Sequence, residues 1–216
     1  DQTIAFLWSI ACHPVDYKSF EALSSNYIGY VRQALRSNYT NKLPVFFIQG
    51  FAGNIRADLF KHNSIKGKLS SLIGKRPKFN NPSNNYLPWC EDLSKSIIKL
   101  DARDAKKQTL VQPKVKLDFI PLKKLINDHS GNIKDLKLSH FKLCKSLTFI
   151  SLSAEPVNEY VKLIEKKISG QLIPCAYNDN TFGYLPIGRQ VKEGGYEAEG
   201  FFKWFNIKGH FKETPE

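Results

Sequence analysis

At 216 residues the chain is long enough to bury one sizeable core, and its 42% hydrophobic content in regular apolar runs excludes a disordered polypeptide. The formal charge is +12, which keeps anionic partners in view. No apolar run approaches the roughly 20 residues of a membrane helix, and the four cysteines, at 12, 90, 144 and 175, lack the CxxC spacing of a zinc ribbon or redox motif.

The chain opens at Asp1, without a methionine, just before an apolar run. We expect an upstream segment. Thr3 to Cys12 is near-continuously apolar and predicts a central strand ending at His13-Pro14. A histidine at a strand end either lines a cleft or is a hydrogen-bonded core residue. Residues 24–37 carry Tyr27, Ile28, Val31, Ala34 and Leu35 at helical spacing, with Ser24 or Ser25 as cap. This predicts a helix packed back on the sheet.

Leu43 to Ile48 predicts a second buried strand, which runs into Gln49-Gly50-Phe51-Ala52-Gly53-Asn54. Glycines at a strand exit allow close backbone approach or a tight turn. The loop is neither GxGxxG nor GxSxG, so it carries neither a dinucleotide fingerprint nor a nucleophile elbow.

Residues 61–87 are polar and basic and predict a mobile loop or insertion. Lys61, Lys66, Lys68, Lys75, Arg76 and Lys78 face no acid there. Such a block fits a solvated loop, peripheral contact with a membrane surface, or anion and nucleic-acid binding. It lacks the aromatic interleaving of a nucleic-acid module, so no specific nucleic acid is expected.

Pro88 to Lys107 predicts a helix with Leu93, Ile97, Ile98 and Leu100 on one side. The alternation over 109–120 predicts a half-exposed strand. Lys-rich 121–146 predicts a short helix and a turn at Ser130-Gly131-Asn132. His62, His129, His140 and His210 read as solvent-facing.

Leu147 to Leu152 is a short β-branched and aromatic run, hence a buried strand. After it Val157, Tyr160, Val161, Ile164 and Ile168 recur at helical spacing, with Pro156 in the first turn and Gly170 as C-cap. Glu155 is thus a carboxylate at a strand-to-helix corner, where open α/β sheets collect ligands; the plainer account is an acid favoured by the helix dipole. Leu172 to Tyr177 predicts another strand, exiting into Asn178 to Pro186. Gly194-Gly195-Tyr196-Glu197 then leads to Phe201, Phe202, Trp204 and Phe205, read as core or lid.

Strands and helices in this order predict one α/β domain with a mixed sheet flanked by helices, and a ligand site at the C-terminal ends of the strands. His13, the Gly50 loop, Glu155 and the Tyr184 loop each stand at such a corner. A histidine, a carboxylate and a tyrosine can share one metal, and zinc accepts nitrogen and oxygen ligands. Water on zinc has a pKa lowered to about 7.

The corners resemble those of the neutral/alkaline ceramidase family, zinc-dependent amidohydrolases that cleave the N-acyl bond of ceramide. The similar pieces run in the family's order: Ala11-Cys12-His13-Pro14-Val15, Ser24 to Tyr30, Phe47 to Ile55, Ala154-Glu155-Pro156, Asn178 to Pro186, and Gly194 to Glu197. The resemblance implies His13, Glu155 and Tyr184 as zinc ligands. It implies Tyr184 and Tyr196 at the scissile amide, with Gln49, Gly53 and Asn54 lining the substrate. It implies a lipid-like N-acyl substrate, metal-activated water, and a secreted or periplasmic setting.

The departures are specific. The family's first zinc histidine lies in a His-rich motif that would precede Asp1. Gly50 stands where the family carries a catalytic serine, and Asn54 stands where it carries an acid. The family's C-terminal immunoglobulin-like domain is absent from these 216 residues. A degenerate member that binds a lipid or glycan without turnover is the second expectation. An anion- or nucleic-acid-binding protein, resting on the basic block, is the third.

Overall fold

The computed structural model describes residues 3–15, 22–57, 59, 85–100, 108–128 and 135–212. The basic 61–87 block lies outside them, apart from residues 85–87. So do His62, His129 and the Ser130-Gly131-Asn132 turn.

The chain divides into two compact units. The first takes in residues 1–7, 13–46 and 56–105; the second takes in 8–12, 47–55 and 106–216. Strands β1 (Phe6–Ile10) and β2 (Val45–Gln49) pair in a two-stranded sheet and contribute residues to both units.

The first unit is built on two helices, α1 (Asn26–Asn38) and α2 (Tyr86–Lys99). The apolar stripe of α1 buries Tyr27, Val31 and Leu35 as its spacing requires. Asn26 starts the helix at φ 52°. Its backbone N–H is held by Ser24 Oγ at 3.0 Å, and its side-chain oxygen accepts the Tyr86 hydroxyl at 2.7 Å. Tyr27 meets Trp89 edge-on at 5.4 Å. The partner that α1 packs on within its unit is therefore α2. Leu100, expected on the buried side of α2, is 84% exposed because the helix ends at Lys99.

The second unit is organised on a four-stranded mixed sheet: β3 (Lys116–Ile120), β5 (Leu136–Cys144), β6 (Leu147–Leu152) and β8 (Gln171–Cys175), in the order β3-β5-β6-β8. The first three run antiparallel; β6 and β8 run parallel. The parallel pair needs a crossover, supplied by α3 (Glu159–Glu165). Tyr160, Val161 and Ile164 of that helix pack on the core of Phe51, Leu136, Leu152, Ala154, Ala176 and Leu185. Two short pairs complete the unit: β4 (Ile126–Asp128) with β10 (Gly209–Phe211), and β7 (Glu155–Pro156) with β9 (Tyr184–Leu185). The mixed α/β architecture is the one expected.

Four local expectations change. The 3–12 run is not a central strand: β1 is five residues long, and Leu7 is 49% exposed. Residues 136–144, within the stretch expected to hold a short helix, form the nine-residue β5; among the described residues of 121–146 the helical piece is a single 3-10 turn at Leu122–Lys124. His140 consequently pairs with Ile150 inside the sheet. Pro156 belongs to β7, and α3 starts three residues later, so Glu155 is a strand residue. Gly170 caps no helix; at φ +90° it turns the chain against Ser146 into β8.

All four cysteines are free and buried. Among the described residues no helix is long and apolar enough to cross a membrane.

Tyr160 gives the second unit a pH dependence. Its hydroxyl donates to the Pro186 carbonyl at 3.0 Å, and burial pushes it from 10.0 up to about 12. The raised value means that its contribution is fully present below pH 10, and it is lost as pH rises through 12. That rise corresponds to roughly 3 kcal/mol. Urea melts between pH 9 and 12 are expected to show this fall, and Tyr160→Phe to flatten it.

Candidate functional site

The corner after β6 is held by backbone hydrogen bonds from three directions, all within the second unit. Glu155 N–H donates to Gly183 at 2.8 Å, Val157 N–H to Leu185 at 3.1 Å, and Tyr177 N–H donates to Ala154 at 3.1 Å. Gly53 N–H donates to Pro156 at 2.9 Å. A Cβ on Gly53 would lie 2.7 Å from the Glu155 carbonyl oxygen, so only glycine lets the 50–54 loop approach so closely.

This framework gathers oxygen donors. Glu155 and Tyr184 are register partners across β7 and β9, so their side chains leave the same face. Tyr184 is hydrogen-bonded to the Glu155 carboxylate. Tyr177, at φ 61°, brings its hydroxyl to the same carboxylate at 2.9 Å. Tyr196 meets Tyr184 edge-on at 5.5 Å and is 50% exposed. Two left-handed glycines, Gly194 (φ 72°) and Gly195 (φ 110°), deliver the chain to it.

The electrostatics follow from the grouping. The Tyr184 phenol is pushed well above the ordinary tyrosine range, chiefly by burial. The charge of Glu155 and its hydrogen bond add to this, with smaller contributions from Tyr196 and Glu197. Tyr184 therefore keeps its proton at neutral and mildly alkaline pH and acts as a hydrogen-bond donor.

The expected site residues fall into three groups. Glu155, Tyr184 and Tyr196 are brought together. His13 is half-buried just past β1 and belongs to the first unit, whereas Glu155 and Tyr184 belong to the second. Gln49, Gly50, Gly53 and Asn54 hold the backbone. Gln49 Nε2 donates to the Cys12 carbonyl at 3.1 Å, and Gly50 N–H donates to Ile10 at 3.0 Å. Asn54 accepts the Asn158 N–H at 2.9 Å and donates to Glu159 at 2.8 Å, tying down the start of α3. Gly50 has no side chain, and its N–H is engaged, so it offers a reacting acyl group neither a nucleophile nor a backbone donor.

Sequence reading missed Tyr177 and Glu197. Tyr177 had a signal in its place, as the last residue of an apolar run before Asn178-Asp179-Asn180. Glu197 had only its neighbour Tyr196.

Among the described residues no group of three or more His, Cys, Asp or Glu side chains is placed to hold a metal ion. The donors at this corner are one carboxylate and phenol oxygens. Hard oxygen donors of this kind fit part of a divalent-ion ligand set, and a cation there would offset the carboxylate charge that presses on Tyr184.

No family model matches the chain, and no curated protein does. A solved structure, a ceramidase complexed with C2, is similar over 94% of this chain, with a TM-score of 0.62 and 11% identity. The likeness covers 42% of that chain, so the present chain spans less than half of its length. The fold is ceramidase-like.

Proposed function

We propose that this chain is a ceramidase-like hydrolase domain that cleaves the N-acyl amide bond of a lipid or related conjugate, with zinc as its cofactor. The observation that carries the reading is the Glu155–Tyr184 pair, a carboxylate and a raised phenol on adjacent strands of a ceramidase-like fold. Glu155 and Tyr184 would contribute oxygen ligands from the second unit; a nitrogen ligand, His13, is implied only by the family resemblance. Zinc, when bound, supplies charge stabilisation and lowers the pKa of water.

The chain's own residues do the rest. The Tyr184 hydroxyl donates to Glu155 in the free chain; with the carboxylate engaged by a cation, that proton would be released for donation to the oxygen that gains charge as the acyl carbon becomes tetrahedral. Tyr196, half exposed beside it, orients the amide. Tyr177 fixes one oxygen of Glu155. With glycine at position 50 no serine attacks, so water is the nucleophile.

The test is release of fatty acid from a short-chain N-acyl sphingoid base by the purified full-length protein with added zinc. Hydrolysis that a chelator stops and Glu155→Gln lacks is the expected result. A folded full-length protein with no turnover in zinc overturns the reading.

Gly50 favours one second reading, a binding member without turnover. A Cβ there would lie 3.1 Å from the Ala11 nitrogen, so the backbone is packed for glycine rather than for the family's serine. Saturable binding of the same amphiphile without hydrolysis would support it.

A further inference from the structure

The segment from Phe201 to Phe211 holds two kinds of aromatic residue. Phe201, Phe202 and Phe211 are buried and form a cluster with Ile126. Between them Trp204 is 69% exposed and Phe205 is 42% exposed. The cause is local: the 3-10 turn Phe202–Trp204 follows a buried residue and carries the next aromatics outward.

The turn itself carries lysines, although Glu197 and Glu199 precede it. Residues 200–212 contain Lys203, Lys208 and Lys212 and no acid. The Lys203 ammonium lies 4.9 Å from the centre of the Trp204 ring. Lys212 donates to the Lys123 carbonyl at 2.6 Å, which brings the exposed Lys123 alongside. A core gains nothing from an exposed indole and phenyl rimmed by ammonium groups. An interfacial layer does, because the rings enter the headgroup region while the lysines meet lipid phosphate. The tip is continuous with the Glu155 corner, since Phe201 packs on Tyr184 at 5.4 Å and on Phe205 at 5.8 Å.

We infer that the Phe202–Phe205 turn docks the chain on an anionic lipid surface, with Trp204 and Phe205 in the headgroup layer and Lys203 on lipid phosphate. The docking would set the Tyr196 lip of the corner against the bilayer. Its purpose rests on the reading of a lipid N-acyl substrate; its evidence does not.

Co-sedimentation with vesicles of phosphatidylcholine, with and without phosphatidylglycerol, tests it. These vesicles contain no N-acyl amide, so binding is read apart from turnover. The intact chain is expected to bind the anionic vesicles, less strongly as salt rises, with a blue shift of tryptophan emission that Trp204→Phe removes. Trp204→Ala combined with Phe205→Ser, and separately Lys203→Glu, should each lower the partition coefficient at least about tenfold at an unchanged melting temperature. Vesicle binding that these variants retain in full, or no binding by the intact chain, overturns the inference. Glu155→Gln should bind as the parent does. Docking without hydrolysis would defeat the enzyme reading alone, and hydrolysis of a soluble amide without docking would defeat this inference alone.

Discussion

Gly53→Ala is expected to cost about 3 kcal/mol of stability and to take catalysis with it. The added methyl would lie 2.7 Å from the Glu155 carbonyl oxygen and 3.0 Å from the Pro156 carbonyl carbon and oxygen. Those are backbone atoms, so no rotamer change relieves the contact. The loop must withdraw, which lengthens the Gly53 N–H to Pro156 hydrogen bond. Withdrawal also loosens Asn54, which holds the Asn158 N–H at the start of α3. Glu155 is the residue between these ties. Urea denaturation measures the cost, and a loss of under about 1 kcal/mol would mean that the loop does not brace the corner.

Tyr184→Phe is the second large effect. Removing one donor aimed at a developing oxyanion lowers kcat by about 100- to 1,000-fold. The phenyl ring retains the packing against Phe201 and Tyr196, so melting should change little. KM should change less than kcat, because the lost bond forms mainly in the transition state. The pH profile adds a second readout. The phenol is raised by burial and by the Glu155 charge, and a bound cation would lower it again, so an alkaline limb of the parent's activity caused by Tyr184 should be absent from the variant. A variant with unchanged kcat would remove Tyr184 from the chemistry.

Much of the corner was legible because its signals are local. Leu147 to Leu152 is apolar, short and β-branched, and it forms β6 over those same residues. Gly50 and Gly53 announce close approach, and at each a Cβ would stand closer to neighbouring backbone than ordinary van der Waals contact. Tyr196 follows two glycines, both of which adopt positive φ.

The failures are equally physical. Strand β5 carries lysines at 137 and 142 and a histidine at 140, so its alternation is broken by residues whose ends reach water while their stems stay in the sheet. Pro156 looked like a helix start. It sits in a two-residue strand because Glu155 and Val157 give their N–H groups to the chain around β9, and proline has none to give. Tyr177 turns its hydroxyl to Glu155 from a left-handed backbone, a geometry that no sequence spacing encodes. His13 could be named from its place after an apolar run, and the structure leaves it in the first unit.

Everything proposed for this corner requires that Glu155 and Tyr184 share a divalent cation. Calorimetric zinc titration of the purified chain tests it most directly, with Glu155→Ala run beside it. One zinc per chain is expected, with affinity lowered at least about tenfold in the variant. Equal affinity and stoichiometry in both proteins would contradict it.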